Sequence, residues 1–600
     1  MEHNTSPAYD PGENVSQDMA STVSTTPGSS VAPSTCQSVR NICCIGAGYV
    51  GGPTGAVIAY HNPGIRVTVV NSDEQRIRRW NSRHLPIHEV GLHPIGMSIS
   101  SGERDQVEQG DPKTTEVHAR APNLFFSVQI QECIAKAEII LIAVNTPTKA
   151  SSVGTEWPID LTAFETVAHE VARYAQAGTI IVEKSTLPCR TAQVFQGILA
   201  SHRPGVHFEV LSNPEFLAAG TAVHNLMQPD RVLIGSSQTS SGRHAAAVLA
   251  DVYAAWVPRS RIITTHVWSS ELSKLVANAM LAQRISSINS VSAICDAVGA
   301  DIGEVAVSVG SDHRIGDKFL QAGIGFGGSC LKKDVLSLVY LAESLGLPDV
   351  GEYWRQVVTM NDSQRNRFCH LVAQCLDYTL VDKKVTVLGF AFKANTSDTR
   401  ESRTMEIVRV LLHGTPREIA IFDPCCCPKA MRDEIEMILP EANRRPVVVY
   451  SNVYEACAGS HAILITTDCD EFCNTKLPAL RNIEHCTPSE HDGPGPYARA
   501  APSEMDPLAL YDYLLRSSSR PLQKEGDPLE LFVDEPACAD GCPDCELGDT
   551  IRGMGKVDWR QISSGMREPK WLFDGKGIID PDEMARLGIR VESIGRQANI

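Results

Sequence analysis

Apolar residues in this chain gather into short runs, NICCI, VTVV, LFFSV, EIILIAV and TIIV, separated by stretches in which they recur at helical spacing. Such alternation predicts strands joined by helices, and with them a parallel sheet covered on both faces. Order is expected to begin near Val39 with RNICCIGAGYVGGPTGAVIAY: a strand runs into Gly46, Gly48 and Gly51 and then a helix of small residues. GIRVTVVNSD reads as a second strand, and LFFSVQ, QECIAKA, EIILIAVNTPT and TIIVEKST keep the rhythm. The strand ends NTPT and EKST then lie along the carboxyl edge of a doubly wound sheet, where ligands bind in such folds.

The same order returns near the C-terminus in KKVTVLGFAFK, RTMEIVRVLLHG, EIAIFDP and NVYEACAGSHAILITTD, with a last strand in WLFDGKGIID. QECIAKAEIILIAVNTP and VYEACAGSHAILITTDC are alike enough to suggest two related halves, although the second lacks GxGxxG. Between them WSSELSKLVANAMLAQRISSINSVSAICDAVG carries helical spacing beyond the usual helix length. The expected fold class is α/β: two Rossmann-like doubly wound domains, residues 39–266 and 362–600, joined by a long helix and a helical middle domain over 267–361. Residues 1–38, rich in Ser, Thr, Pro and Gly, are expected to form a disordered tail. Polar stretches at about 97–122 and 482–554 read as surface insertions, the second dispensable for catalysis.

Composition narrows the function classes. A net charge of −17 over 600 residues argues against nonspecific binding to nucleic acid or anionic membranes. No apolar run approaches the roughly 20 residues of a membrane helix. The start is neither a signal peptide nor a transit peptide, and nineteen cysteines are too sparse for a disulfide scaffold, so a cytoplasmic protein is expected. Cys538, Cys542 and Cys545 stand at near metal spacing, with His485 or Cys486 elsewhere in the insertion, but no fourth ligand has a clear partner spacing and no metal is assigned.

The strand, glycine turn, helix and strand near the start form a dinucleotide fingerprint, in which pyrophosphate reaches a helix N-terminus. Cofactor candidates are Gly46, Ala47, Gly48, Tyr49, Val50 and Gly51, then Asn71 and Arg76 after the second strand. Val144, Asn145, Thr146, Pro147, Thr148, Ser185, Thr186 and Leu187 join them at the strand ends. NAD is expected over NADP, because NSDEQR lacks the paired basic residues that a 2′-phosphate demands. Lys274 and Asn278 are four apart on one helix face. Cys330 and Asp334 repeat that spacing just after GIGFGGSC, whose glycines suggest that something approaches the backbone closely. A helix starting near Cys330, with Lys332 and Lys333 beside it, would favour the thiolate and make Cys330 a nucleophile.

GAGYVG, VNTPT, EKSTLP, LSNPEFLA, WSSELSKLVANA, GFGGSCLKKD and LGFAFKANTSDTRES, in this order, resemble the UDP-glucose 6-dehydrogenase family of nucleotide-sugar dehydrogenases. The resemblance implies a two-step, four-electron oxidation of UDP-glucose to UDP-glucuronate with two NAD. Cys330 would carry a thiohemiacetal and then a thioester. Lys274 and Asn278 would stabilise the oxygen that gains charge, Asp334 and Thr186 would hold a water, and Glu215 would assist proton transfer. Glu215, Phe216, Leu217, Ala218, Ala219, Lys274, Asn278, Gln321, Gly325, Phe326, Gly327, Phe392, Lys393 and Lys576 would meet the substrate, the glycine loop wrapping it against the nucleophile. Lys333 and Arg400 would meet NAD, and Arg314 would reach the substrate of a neighbouring subunit, which implies a homo-oligomer. Three residues depart from the family pattern: Asn71 replaces the acid that holds the adenosine ribose, Ala219 a second glutamate, and Lys576 an arginine. The alternatives are a dehydrogenase of another nucleotide sugar, such as GDP-mannose or a UDP-N-acetylhexosamine, and a catalytically impaired nucleotide-sugar-binding paralogue.

Overall fold

The computed structural model describes residues 39–81, 85–87, 89, 123–147, 160–439, 446–474 and 555–596. The N-terminal tail, the insertion at 97–122, the insertion at 482–554 with its cysteine cluster, and Thr148 lie outside the described residues. Eight strands form the first sheet: β1 (Asn41–Ile45), β2 (Arg66–Val70), β3 (Leu124–Ser127), β4 (Ile139–Ile142), β5 (Ile180–Glu183), β6 (Glu209–Ser212), β7 (Val232–Ser236) and β8 (Ile262–His266). Their order is β3-β2-β1-β4-β5-β6-β7-β8, parallel throughout except where β6 meets β7. The run IILI of β4 is buried at every position, as a strand covered on both faces must be. β8, read from IITTH, is largely uncovered, so it has no continuous apolar run to announce it, and the sheet is wider than the sequence pattern predicts.

The second sheet holds β9 (Lys384–Leu388), β10 (Glu418–Phe422), β11 (Val447–Val449), β12 (Ala462–Ile465), β13 (Trp571–Asp574) and β14 (Arg590–Ser593) in the order β11-β10-β9-β12-β13-β14, all parallel. That is the order of the first six strands of the first sheet, and β4 and β12, the two similar segments, occupy the same place in it. β13 is shorter than WLFDGKGIID predicts. The Asp574 carboxylate accepts the N–H groups of Lys576 at 2.9 Å and of Gly577 and Ile579 at 2.8 Å, folding the chain into a turn.

Helices α1 (Gly51–His61), α2 (Glu74–Trp80), α3 (Ile130–Lys136), α4 (Thr162–Tyr174), α5 (Thr191–His202), α6 (Ala222–Met227) and α7 (Ser240–Tyr253) accompany the first sheet. Between the sheets stand α8 (Val267–Val298), α9 (Ile302–Gly310), α10 (Leu331–Ser344) and α11 (Pro348–Cys375). α8 is one helix of 32 residues, opened by the His266 ring accepting the Trp268 N–H and closed by Gly299 at φ 79°, the left-handed residue that ends many helices. Ala279 and Ala282 of α8 pack with Val335 and Val339 of α10 and Val358 of α11. This packing fixes α10, which begins directly after Cys330, against α8.

Candidate active site

The glycine turn between β1 and α1 is built so that no side chain fits. A Cβ on Gly46, whose φ is +113°, would stand 2.3 Å from the Ala143 carbonyl oxygen, and one on Gly51 would stand 1.8 Å from the Gly46 oxygen. Asn145 and Arg76 flank the turn, within 3.7 and 3.9 Å of where a Cβ of Gly48 would be. The Ala47 carbonyl is held by the Trp80 indole N–H at 3.0 Å, and Val50 leads into α1 without a side-chain cap. Of the opening residues of α1, Gly52 already donates its N–H to the Gly48 carbonyl at 3.2 Å and Pro53 has none, which leaves the Gly51 N–H and the helix dipole for an anion. Asn71 spends its carbonyl oxygen on the Asp73 N–H at 2.8 Å.

The β4 and β5 ends meet this turn and are tied to α10. Lys333 Nζ donates to Thr146 Oγ1 at 2.9 Å, Thr146 Oγ1 donates to the Thr186 carbonyl at 3.2 Å, and Ser185 Oγ donates to the Val144 carbonyl at 2.7 Å. Leu187 is buried beside them, whereas Asn145 and Pro147 are exposed. From the second half of the chain, Ser397 meets the Tyr49 hydroxyl at 3.1 Å and the Arg400 guanidinium lies 5.6 Å from the Tyr49 ring. Asp398 fixes Arg400 through bonds of 2.8 and 2.6 Å. Burial pushes the Tyr49 phenol up to about 12.

Cys330 stands at the N-terminus of α10, with Asp334 one turn along it and Lys274 and Asn278 facing it from α8. Two bonds cross the gap. Asn278 Nδ2 donates to Asp334 Oδ2 at 2.6 Å, and Lys274 Nζ lies 3.2 Å from Glu215 Oε1, whose other oxygen accepts the Leu217 N–H at 2.6 Å. Asp334 is fully buried and its second oxygen, Oδ1, has no partner. Burial pushes Glu215 up, but the Lys274 ammonium and the Leu217 N–H outweigh it and hold the carboxyl below its ordinary value. Burial lowers Lys274, and Glu215, Asp334 and Cys330 together more than restore it, so the amine stays charged.

The thiol differs from the sequence expectation. Cys330 is open to solvent on one side yet crowded by protein on the others, and burial together with the Glu215 charge raises its pKa above the ordinary value. Lys274 and Lys333 pull the other way without prevailing. The helix N-terminus and the lysines therefore do not lower the thiol below its ordinary value, first because protein crowds it and then because the site also holds two carboxylates.

The glycine loop answers to the protein itself at two positions. A Cβ on Gly325, at φ +97°, would stand 2.3 Å from Asn361 Oδ1, and one on Gly328, at φ +85°, would stand 2.8 Å from the Phe392 ring. Asn361 brackets Phe326 by accepting its N–H at 2.8 Å and donating to its carbonyl at 3.0 Å, and Arg403 donates to the same carbonyl at 2.8 Å. Gly327 lies against the Glu401 carbonyl, and Gln321 donates to the Lys576 carbonyl at 2.6 Å, joining the loop to the β13 turn. Phe216 lies beneath the Arg231 guanidinium, 3.6 Å from its ring centre, with Lys274 Nζ at 5.3 Å. Arg314 stands apart: it is exposed and forks the Asp312 carboxylate at 2.6 to 3.2 Å, on a loop that Arg284 holds through the carbonyls of Ile315, Gly316 and Lys318. Among the described residues no contact joins Arg314 to Cys330.

Ala219 is half-buried between Ala218, whose N–H meets Asn225 Oδ1 at 3.0 Å, and Gly220. Sequence reading missed the acid beside it. Glu89 has no exposed surface; its carboxylate accepts the N–H groups of Gly220 at 3.0 Å and Ala222 at 3.2 Å. Burial pushes Glu89 up to about 7, against the pull of those N–H groups and of Lys393. A lone glutamate between polar stretches gave no signal. A folded pKa above the unfolded value means that the folded state binds more protons between the two, so this residue's contribution to stability falls as pH rises through that window. Glu89→Gln is expected to remove that slope, which denaturant melts of parent and variant from about pH 5 to about pH 8 would read.

Comparison with known proteins places this geometry. The NAD binding domain of the UDP-glucose/GDP-mannose dehydrogenase family matches residues 40–106 and 97–257, its central domain 268–363 and its UDP binding domain 386–487. The chain belongs to this family. The UDP-glucose 6-dehydrogenase of Drosophila melanogaster is 47% identical over 561 residues, covering 93% of this chain and 96% of the relative. That of Pongo abelii is 48% identical over 442 residues, 72% of this chain and 84% of the relative. Among solved structures, a UDP-glucose dehydrogenase from Pyrobaculum islandicum aligns with a TM-score of 0.60 at 29% identity, over 73% of this chain and 92% of its own. A UDP-D-ManNAc dehydrogenase from Pyrococcus horikoshii, at 20% identity and a TM-score of 0.61 over 93% of this chain and 99% of its own, shares the fold. In the family's terms, the β1–α1 turn lies in the NAD binding domain, Lys274, Asn278, Cys330 and Asp334 in the central domain, and Phe392, Lys393 and Arg400 in the UDP binding domain.

Proposed function

We propose that this protein is an NAD-dependent UDP-glucose 6-dehydrogenase whose nucleophile is Cys330. The observation that carries the reading is the convergence of one accessible thiol with two crossing pairs, Lys274–Glu215 and Asn278–Asp334, at the N-terminus of α10. The glycine cradle fits NAD, since the space a Cβ would need at Gly46 and Gly51 is taken by backbone. When bound, NAD accepts the hydride of each oxidation, two per UDP-glucose. The first oxidation takes a hydride and the hydroxyl proton from C6 and leaves an aldehyde. The Cys330 thiol gives up its proton to solvent as Sγ adds to that carbon, and the oxygen that gains charge is met by the Lys274 ammonium and the remaining amide N–H of Asn278. Each such donor contributes about 3 kcal/mol in comparable sites. Loss of the second hydride from C6 gives a thioester. Asp334 Oδ1, unpartnered and buried, and Thr186 hold the water that cleaves it, and Glu215 moves the proton as the sulfur leaves.

Support for UDP-glucose over GDP-mannose or a UDP-N-acetylhexosamine comes from the 46–48% identity to relatives named for UDP-glucose. Ala219 is the observation that favours an impaired enzyme, since the Glu89 carboxylate nearby is already committed to two N–H groups. We further propose a homo-oligomer, in which the exposed Arg314 serves a neighbouring copy and the uncovered Ile294, Val298 and Val307 of α8 and α9 are packed away. A reduced Cys330 suits the cytosol. Among the described residues no helix is long and apolar enough to cross a membrane. Full-length protein given a panel of nucleotide sugars should form two NADH per UDP-glucose and use NADP less efficiently. Faster turnover of another nucleotide sugar would transfer the assignment to it, and UDP-glucose binding without NADH would favour the impaired paralogue.

A further inference from the structure

A second pair of acids lines a cavity with Lys274 and Thr186, and the mechanism above does not use it. Glu183 ends β5 and Glu271 stands just past the first turn of α8; they are 2% and 4% exposed. Neither carboxylate oxygen of Glu183 meets a donor. Glu271 is differently placed, accepting the N–H of Arg190 at 2.6 Å and of Ala192 at 2.9 Å, which are the opening N–H groups of α5. Arg190 has φ 76°, a left-handed conformation unfavourable for a residue with a side chain, so the Glu271 bond holds a strained joint. A small cavity touches both acids and also Ser185, Thr186 and Lys274.

We infer that Glu183 and Glu271 share one proton, and that this acid–carboxylate pair is a strut positioning the Thr186–Pro188 segment. Two buried carboxylates lining one small cavity cannot both be charged at acceptable cost, so one of them carries a proton. Glu271, with two N–H donors, is the better home for the charge. Glu183, with none, is the acid, and its proton is the donor that neither of its oxygens otherwise meets. Burial and then the Glu271 charge raise Glu183 well above the carboxylate range, in line with that division. The other groups facing the pair do not compete. Lys274 is committed to Glu215, and Lys184 donates to Asn213 Oδ1 at 3.0 Å and to the Tyr253 hydroxyl at 3.2 Å. The Cys189 thiol, pushed up to about 11 by burial and by Glu271, stays neutral. The strut joins the end of β5 to the start of α5 across α8, and Thr186 lies on the segment between those anchors. Glu183 is thus a positioning residue, acting through Glu271 on Thr186.

The positioning role rests on the dehydrogenase reading; the shared proton does not, and the test separates them. The infrared difference spectrum of the full-length protein near neutral pH, parent minus Glu183→Gln, should contain a protonated-carboxyl stretch, and other raised acids such as Glu89 cancel in it. This readout is independent of turnover. The amide of Glu183→Gln can still donate to Glu271, so kcat should stay within about twofold of the parent, whereas Glu183→Leu, which cannot, should lose about tenfold in kcat with KM for UDP-glucose little changed. Absence of that stretch from the difference spectrum overturns the shared proton. Equal kcat in the leucine and glutamine variants overturns the positioning role. Should Glu183→Leu fail to fold, a Glu183→Gln variant that keeps kcat and loses the stretch supports the inference, and one that loses kcat overturns it.

Discussion

Cys330→Ala is expected to abolish UDP-glucuronate formation, by on the order of 10⁴-fold or more, while NAD and UDP-glucose still bind. The sulfur contributes the covalent step and little affinity, because most binding candidates sit on other elements, the β1–α1 turn, the β4 and β5 ends and the loop around Phe392 and Lys393, and those beside Cys330 keep their own side chains and backbone. Cys330→Ser is the more informative variant. An oxygen nucleophile can accept the acyl group, but its ester hydrolyses more slowly than a thioester, so a sugar nucleotide should accumulate on the protein and appear in its intact mass. Because burial and Glu215 hold the thiol above its usual value, alkylation of Cys330 in the ligand-free protein should accelerate as pH rises into the alkaline range, without a plateau near neutrality. Activity surviving in Cys330→Ala would remove the nucleophile from the scheme.

Three of the strands legible in the sequence are buried at every position. IILI, VTVL and AILI are apolar at nearly every position because parallel strands are covered on both faces, and each is where its pattern puts it. β8 was not legible, since its mostly uncovered residues need no apolar run. β13 was overextended for a different reason: GIID is apolar enough to continue a strand, but Asp574 turns the backbone by collecting three N–H groups, a tertiary choice that periodicity does not encode.

The site divides in the same way. Helical spacing alone put Lys274 with Asn278 and Cys330 with Asp334, and packing of α8 on α10 then joined the two pairs. What spacing could not supply was electrostatic balance. The chain shows lysines next to Cys330, but the carboxylates that outweigh them come from residue 215, far away in sequence, and from Asp334, whose burial was not readable. Glu89, Glu183 and Glu271 escaped for a related reason. Each is an isolated acid whose importance lies in being enclosed, and enclosure belongs to the fold.

Glu215→Leu tests that balance most severely. In the parent, Lys274 is only 3% exposed and its charge is held by Glu215 at 3.2 Å, with Asp334 and Cys330 as weaker partners. Removing Glu215 leaves a buried ammonium without its main counter-charge, which in comparable sites costs about 3–5 kcal/mol. The pH dependence distinguishes this from simple loss of packing. In the parent, the folded pKa of Lys274 lies above its unfolded value, so the pair's stabilisation is present at neutral pH and is lost only as pH rises through the folded pKa. In the variant, burial dominates and lowers that pKa, so the amine can shed its proton and the penalty shrinks as pH rises. The stability gap between parent and variant should therefore be widest near neutrality and narrow in alkali. Glu215→Gln, which keeps the volume and one acceptor, should lose less stability and yet hydrolyse the thioester poorly, since an amide cannot shuttle the proton. Denaturant melts of the three proteins at about pH 7 and about pH 9.5 would read the gap. A gap that does not change with pH would mean that Lys274 is not the buried charge that Glu215 balances.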